Sequence, residues 1–277
     1  MKPAVKVCSI IGLLILLALA FDFRLRVVNY SIENEKIVGE VTLALITDLH
    51  SCLYGKNQQQ LLQKINAVKP DLVLLGGDIF DDAYVNNNSH ILIDKLATTY
   101  TTYYVSGNHE WWSKEMYHFF NYLERAGVLV LRGHADTLTV HGNKLSIGGI
   151  DDPEVNLYDT TFKSFEEQLA ALGEFLDDTH FNILLAHRPE FAPQYFSHSF
   201  DLAVSGHAHG GQFRIPFLLN GFYAPNQGFF PKLAGGCYDF GRSTLIVSRG
   251  LSRENTILPR IFNRPELVFV TLASSMN

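Results

Sequence analysis

VSGNHEWW, residues 105–112, closes an apolar run and then sets an amide, an imidazole and a carboxylate side by side behind a glycine. The same grammar recurs along the chain. ITDLHS brings Asp48 and His50 after the run 41–46, LLGGDIFD brings Asp78, LLAHRPE brings His187, and VSGHAHGGQ brings His207 and His209. Aliphatic runs that stop abruptly at polar, metal-competent side chains read as strands buried on both faces, with chemistry outside their carboxyl ends. Gly76-Gly77, Gly107 and Gly206 stand beside these residues, where a glycine lets the backbone turn sharply and approach a ligand.

Working outward, the segments between these runs read as helices. In 57–70, Leu61, Leu62, Ile65 and Val68 fall at helical spacing, with Asn57 as cap and Pro70 as stop. Residues 87–99 form the next helix, and 113–127 another, capped by Ser113 and ended by Gly127. The order β-α-β-α-β predicts parallel strands with crossover helices. The second half is mixed: short strands at 128–132, 137–142 and 144–151, one amphipathic helix over 161–178, apolar strands ending in histidine at 181–187 and 201–209, and closing strands at 243–250 and 266–272. On a strand, His207 and His209 alternate and share one face.

The length of 277 residues supports a sizeable core, and a net charge of −6 argues against a general nucleic-acid binder. Three scattered cysteines, Cys8, Cys52 and Cys237, make neither a disulfide framework nor a thiolate zinc site. The chain starts with Lys2 and Lys6, an uncharged run from Val7 to Phe21, then Asp22, Arg24 and Arg26. That pattern predicts a single-pass membrane anchor over 1–26, ahead of one domain over 27–277, with a cleaved signal as the alternative. The flanking charges favour the N-terminus inside and the catalytic domain outside the cytoplasm.

The set DLH, GGD, GNHE, AH and GHAH, in that order, resembles the calcineurin-like metallophosphoesterases across most of residues 41–210. GHAHGGQFRIP and VSRGLSRENTILPRIFNRPEL resemble the membrane-anchored bacterial branch of that superfamily. The resemblance implies an α/β fold, a central β-sandwich of mixed sheets flanked by helices, behind one N-terminal transmembrane helix in the bacterial inner or cytoplasmic membrane. It implies two divalent metal ions. Asp48, His50 and His209 would take one, Asn108, His187 and His207 the other, and Asp78 would bridge them. Mixed oxygen and nitrogen ligation without thiolate points to manganese, iron or zinc. A metal-bridging hydroxide would attack phosphorus. His109 would stabilise charge or act as general acid, with Glu110 orienting its ring.

The expected activity is hydrolysis of a phosphodiester or pyrophosphate in a lipid or cell-envelope precursor. A phosphatase for soluble nucleotides or phosphoproteins, and a non-catalytic scaffold, are the alternatives. Each site residue also has an ordinary reading as a cap, turn former or satisfied histidine; the five segments together argue otherwise. His118, His134, His141, His180 and His198 fall outside the pattern. The aromatic, glycine- and proline-rich segment from Phe213 to Phe240 reads as a packed loop or as a cap facing lipid, which Trp111 and Trp112 could join. Arg188, Arg214, Arg242 and Arg249 are the candidate phosphate contacts.

Overall fold

A computed structural model describes residues 3–253 and 258–275. Lys2 and residues 254–257 of the tail motif lie outside the described residues. Helix α1 (Pro3–Ala20) leads to β1 (Arg26–Asn34), then β2 (Val41–Ile46), α2 (Gln59–Val68), β3 (Leu72–Gly76), α3 (Asn87–Ala97), β4 (Thr101–Val105), α4 (Asn108–Trp112), α5 (Met116–Ala126) and β5 (Leu129–Val130). Then come β6 (His134–Val140), β7 (Asn143–Gly149), α6 (Val155–Tyr158), α7 (Phe165–Phe175), β8 (Phe181–Leu185), α8 (Ala192–Tyr195) and β9 (Leu202–Ser205). The chain continues through the hairpin β10 (Tyr223–Ala224) and β11 (Gly228–Phe229), then β12 (Gly236–Asp239), β13 (Thr244–Val247) and β14 (Glu266–Ser274).

Two six-stranded sheets result, ordered β1-β14-β2-β3-β4-β5 and β12-β13-β9-β8-β7-β6. Strands β2 to β5 are parallel in the first and β7, β8, β9 and β13 in the second, with antiparallel partners towards the edges. Alternate residues of the apolar runs explain the layers. Leu43, Leu45, Leu72, Leu74 and Val105 face Leu145, Ile147, Ile183, Leu185 and Val204 between the sheets. Their neighbours Ala44, Ile46, Val73 and Leu75 face outward onto Leu61, Ile65, Leu92, Leu96 and Phe119 of α2, α3 and α5. On the far side, Leu184, Ala203 and Val247 meet Phe165, Leu169 and Leu172 of α7. Strands covered on both faces need no polar alternation, which is why the sequence shows continuous apolar runs.

Several local expectations are corrected. Asn57 does not cap α2: Asn57 and Gln58 are both left-handed (φ 52° and 59°), and helix begins at Gln59. The Gln58 amide is taken up inside, accepting from Tyr54 N–H and donating to the carbonyls of Cys52 and Asn88. Ser113 follows α4 instead of opening α5, while Gly127 does end α5 in the left-handed conformation at φ 88°. Helix α7 is shorter than the 161–178 segment because Ser164 caps it with Glu167, a capping box. Strand β9 ends at Ser205, so the pleat does not align His207 and His209. Both sit in turns with left-handed backbone, at φ 64° and 46°.

Among the described residues no helix is long and apolar enough to cross a membrane. Helix α1 nevertheless exposes its apolar side chains from Val7 to Leu19, and among its described side chains Ala20 alone is buried.

Candidate metal centre

Parallel strands deliver the site residues to one edge of the sandwich. Asp48, Asp78, His187 and His207 each lie two residues past the ends of β2, β3, β8 and β9, and Asn108 opens α4 just after β4. Asp48, His50, Asp78, His207 and His209 all adopt positive φ, between 46° and 64°. Such clustering of strained non-glycine backbone marks a site whose surroundings over-determine it. Close approach matters as much: a Cβ on Gly77 would come within 2.5 Å of the His187 ring, and one on Gly107 within 2.2 Å of the Asp78 carboxylate.

The side chains converge in two groups that share Asp78. Asp48, His50, Asp78 and His209 offer donor atoms within 4.8 Å of one another, as do Asp78, His187 and His207. Asp78 Oδ2 lies 3.2 Å from His187 Nε2 and 3.6 Å from His50 Nε2. Asp48 Oδ1 lies 3.7 Å from His209 Nε2. Asp48 Oδ2, His50 Nε2, Asp78 Oδ2, Asn108 Oδ1 and His187 Nε2 are sealed from solvent without a hydrogen-bond partner. Each unpaired buried polar atom costs about 1–3 kcal/mol. Four of them belong to the two groups, and, all oxygen or nitrogen, they fit divalent cations as their missing partner.

Surrounding groups fix the rings. His187 Nδ1 donates to the Gly76 carbonyl at 2.8 Å and His50 Nδ1 to Asp81 Oδ2 at 2.8 Å, leaving Nε2 of each as the electron-pair donor. His207 does the reverse, with Nε2 donating to Asn226 Oδ1 at 2.8 Å. Burial, helped by His187 and Arg188, holds His207 well below the usual imidazole range; burial and the nearby His50 and Arg260 do the same to His209. Neutral imidazole is the form that binds metal. Asp81, Asn226 and Arg260, whose Nη2 lies 3.4 Å from His209 Nδ1, were missed in the sequence. For Asp81 a signal existed, an acid three residues after Asp78; for the other two, distant in sequence, none did.

His109 stands at the rim, its side chain 26% exposed and its ring 4.4 Å from that of His50. Its partner is not Glu110. Nδ1 donates to Asp82 Oδ1 at 2.6 Å. Glu110 is buried and accepts the backbone N–H groups of Asp78, Ile79, Phe80 and Gly107 at 2.7–3.1 Å. It clamps the turn that presents Asp78. Arg188 is corrected too: it is buried and forked onto Asp152, with Glu154 as a further partner, so it is not free for phosphate. Arg214 and Arg249 face a cavity that no metal-centre residue lines, and Arg242 lies beside Asp201. The six histidines outside the pattern, His90 together with His118, His134, His141, His180 and His198, join neither group. Trp111 turns inward and donates to Ser106, whereas Trp112 sits tilted 4.6 Å from the His109 ring and donates to Glu154.

Residues 41–211 match the family model described as calcineurin-like phosphoesterase. The chain belongs to this family. Members of this family are hydrolases of phosphoesters and typically bind two divalent metals. An uncharacterized metallophosphoesterase of Campylobacter jejuni is 30% identical over 89% of the chain, which spans 63% of that relative's length. The uncharacterized metallophosphoesterase YkuE of Bacillus subtilis is 32% identical over 76% of this chain and 71% of its own. A bovine relative called transmembrane protein with metallophosphoesterase domain is 27% identical over 68% of this chain and 45% of its own. Among solved structures, Haemophilus influenzae NAD nucleotidase aligns with TM-score 0.51 and 17% identity over 77% of this chain and 46% of that one, a likeness of fold.

Proposed function

We propose that this phosphoesterase holds two divalent ions, manganese, iron or zinc, and cleaves a phosphodiester or pyrophosphate bond in a lipid or envelope precursor at a membrane. The observation that carries the reading is the pair of donor groups sharing Asp78, with four of their atoms buried and without a hydrogen-bond partner. Asp48, His50 and His209 would hold one ion, Asn108, His187 and His207 the other, and Asp78 both. Bound there, such ions lower the pKa of water and polarise the phosphoryl group. His109 works beside them. With Nδ1 held by Asp82, Nε2 is the nitrogen that hands a proton to the leaving oxygen.

Three features support the lipid side. Helix α1 is apolar and exposed, which suits residues 1–26 as a single-pass anchor ahead of a catalytic domain over 27–277, N-terminus inside. A bovine relative carries a transmembrane description. The 213–230 segment exposes Phe217, Leu218, Phe229 and Phe230 and reaches back through Asn226 to His207. The test is hydrolysis of bis-p-nitrophenyl phosphate with added manganese, alongside metal analysis. Asp78→Asn should lose turnover and bound metal together; a fully active variant overturns the site. Faster turnover of detergent-dispersed lipid pyrophosphate than of cyclic nucleotides is expected, and equal rates end the lipid preference.

A further inference from the structure

Beside the exit of α1 lies a cavity of about 600 Å³ built from two kinds of surface. Its polar wall is arginine: Arg26, Arg214 and Arg249. Its rim is apolar, formed by the 215–219 loop and Phe262. The loop is closed on itself by hydrogen bonds from Ile215 N–H to the Leu219 carbonyl at 3.1 Å and from Leu219 N–H to the Ile215 carbonyl at 2.9 Å. Its tip carries Phe217, left-handed at φ 68° and fully exposed, and Leu218, 85% exposed. A short loop that fixes its backbone to present two bare apolar side chains is built to meet an apolar phase.

Among the described residues that line it, the cavity carries three arginines and no carboxylate. Arg214 is buried, its guanidinium bonded to the Gly210 carbonyl and to Asn220. Behind the arginine wall, Glu266 sits 3.3 Å from Arg249 Nε. Burial and the charge of Arg249 push Arg214 down to about 10. Arg26 is exposed at the start of β1. The one acid at the end of α1, Asp22, is already taken up by Arg24 and Arg264. Phe262 ties the cavity to the helix, because its N–H donates to the Ala20 carbonyl at 2.8 Å.

We propose that this cavity is a binding site for the phosphate headgroup of an anionic membrane lipid, separate from the metal centre, with Phe217 and Leu218 inserted among the acyl chains. Arginine forks match phosphate oxygens in geometry and charge. An anionic leaflet attracts such a cluster, and apolar tips beside it add burial in the boundary region. The consequence is orientation: α1 alone lets the domain swivel, whereas a second contact sets which face meets the bilayer. The inference rests on the membrane reading of α1.

The full chain tests it, with vesicles of phosphatidylcholine alone or mixed with phosphatidylglycerol. The unsubstituted protein should prefer the anionic vesicles, and salt should erode the preference. Arg26→Gln, checked for an unchanged melting curve, should reduce that preference about fivefold, the effect of one basic residue near an anionic surface. Phe217→Trp should be quenched by brominated acyl chains beyond the level of the unsubstituted protein. Binding indifferent to lipid charge, with Phe217→Trp unquenched, overturns the inference and leaves the α1 reading standing. No binding to either vesicle overturns both. Inorganic phosphate that abolishes the preference while Phe217→Trp stays unquenched assigns the cavity to soluble phosphate and also overturns the lipid.

Discussion

At the scale of single residues, the proposed ligands are only as good as the groups behind them. Asp81 is 3% exposed and sits 2.8 Å from His50 Nδ1. Its charge raises the electron density at the far nitrogen and fixes the ring plane. Asp81→Asn should therefore weaken metal retention about 10–100-fold, read by competition with a chelator. Unchanged retention would mean that the His50–Asp81 contact is incidental. His109 makes the opposite prediction. His109→Ala should lower kcat about 10²–10⁴-fold with bound metal unchanged, since it contributes a proton and not a ligand. Asp82→Asn should lower kcat less and shift its pH profile, because it only orients that ring. Metal loss in either variant would place His109 among the ligands.

At the scale of elements, α4 shows what the sequence disclosed and what it hid. The ligand types were legible because each follows an apolar strand end, and parallel strands bring those ends together. Their exact seating was not. His207 and His209 were expected on one strand face, but the strand stops at Ser205 and two left-handed turns do the aiming. Glu110 was read as the partner of His109 from its adjacency, yet in a helix neighbouring side chains diverge, and Glu110 turns inward onto four backbone N–H groups. Arg188 was read as a phosphate contact because a lone arginine gives no hint of Asp152 and Glu154 waiting for it. Contacts between segments far apart in sequence leave no local trace. Glu110→Ala tests the clamp. Four N–H groups lose their acceptor at about 1–3 kcal/mol for each left unpaired, so urea unfolding should show a loss of at least about 3 kcal/mol. A loss below about 1 kcal/mol would mean that water replaces the carboxylate.

At the scale of the whole molecule, two sheets and their covering helices hold acidic groups in a place where acids are costly, and the compensation depends on what occupies the centre. Without metal, protons serve. Burial disfavours the charged form of His50, but the Asp81 hydrogen bond and the charges of Asp78 and Asp48 outweigh it and push the group up to about 9. Burial likewise opposes His187, and Asp78 overrides it, raising the group to about 10. Both exceed the ordinary imidazole value of 6.5. A raised folded pKa stabilises fully below the unfolded value and loses that contribution as pH climbs through the folded one. Asp48, raised by burial and by Asp78, acts in the same direction; Asp78, held low, contributes stability that is lost only in acid. Metal-free protein should therefore melt at progressively lower temperature between pH 7 and pH 10. Metal ions require the imidazoles neutral, so binding releases protons and tightens as pH rises. The loaded protein should melt higher throughout, and the gap between the two should widen with pH. Melting curves with chelator and with manganese across this range decide it: a flat or rising metal-free series would show that His50 and His187 do not carry the compensating charge.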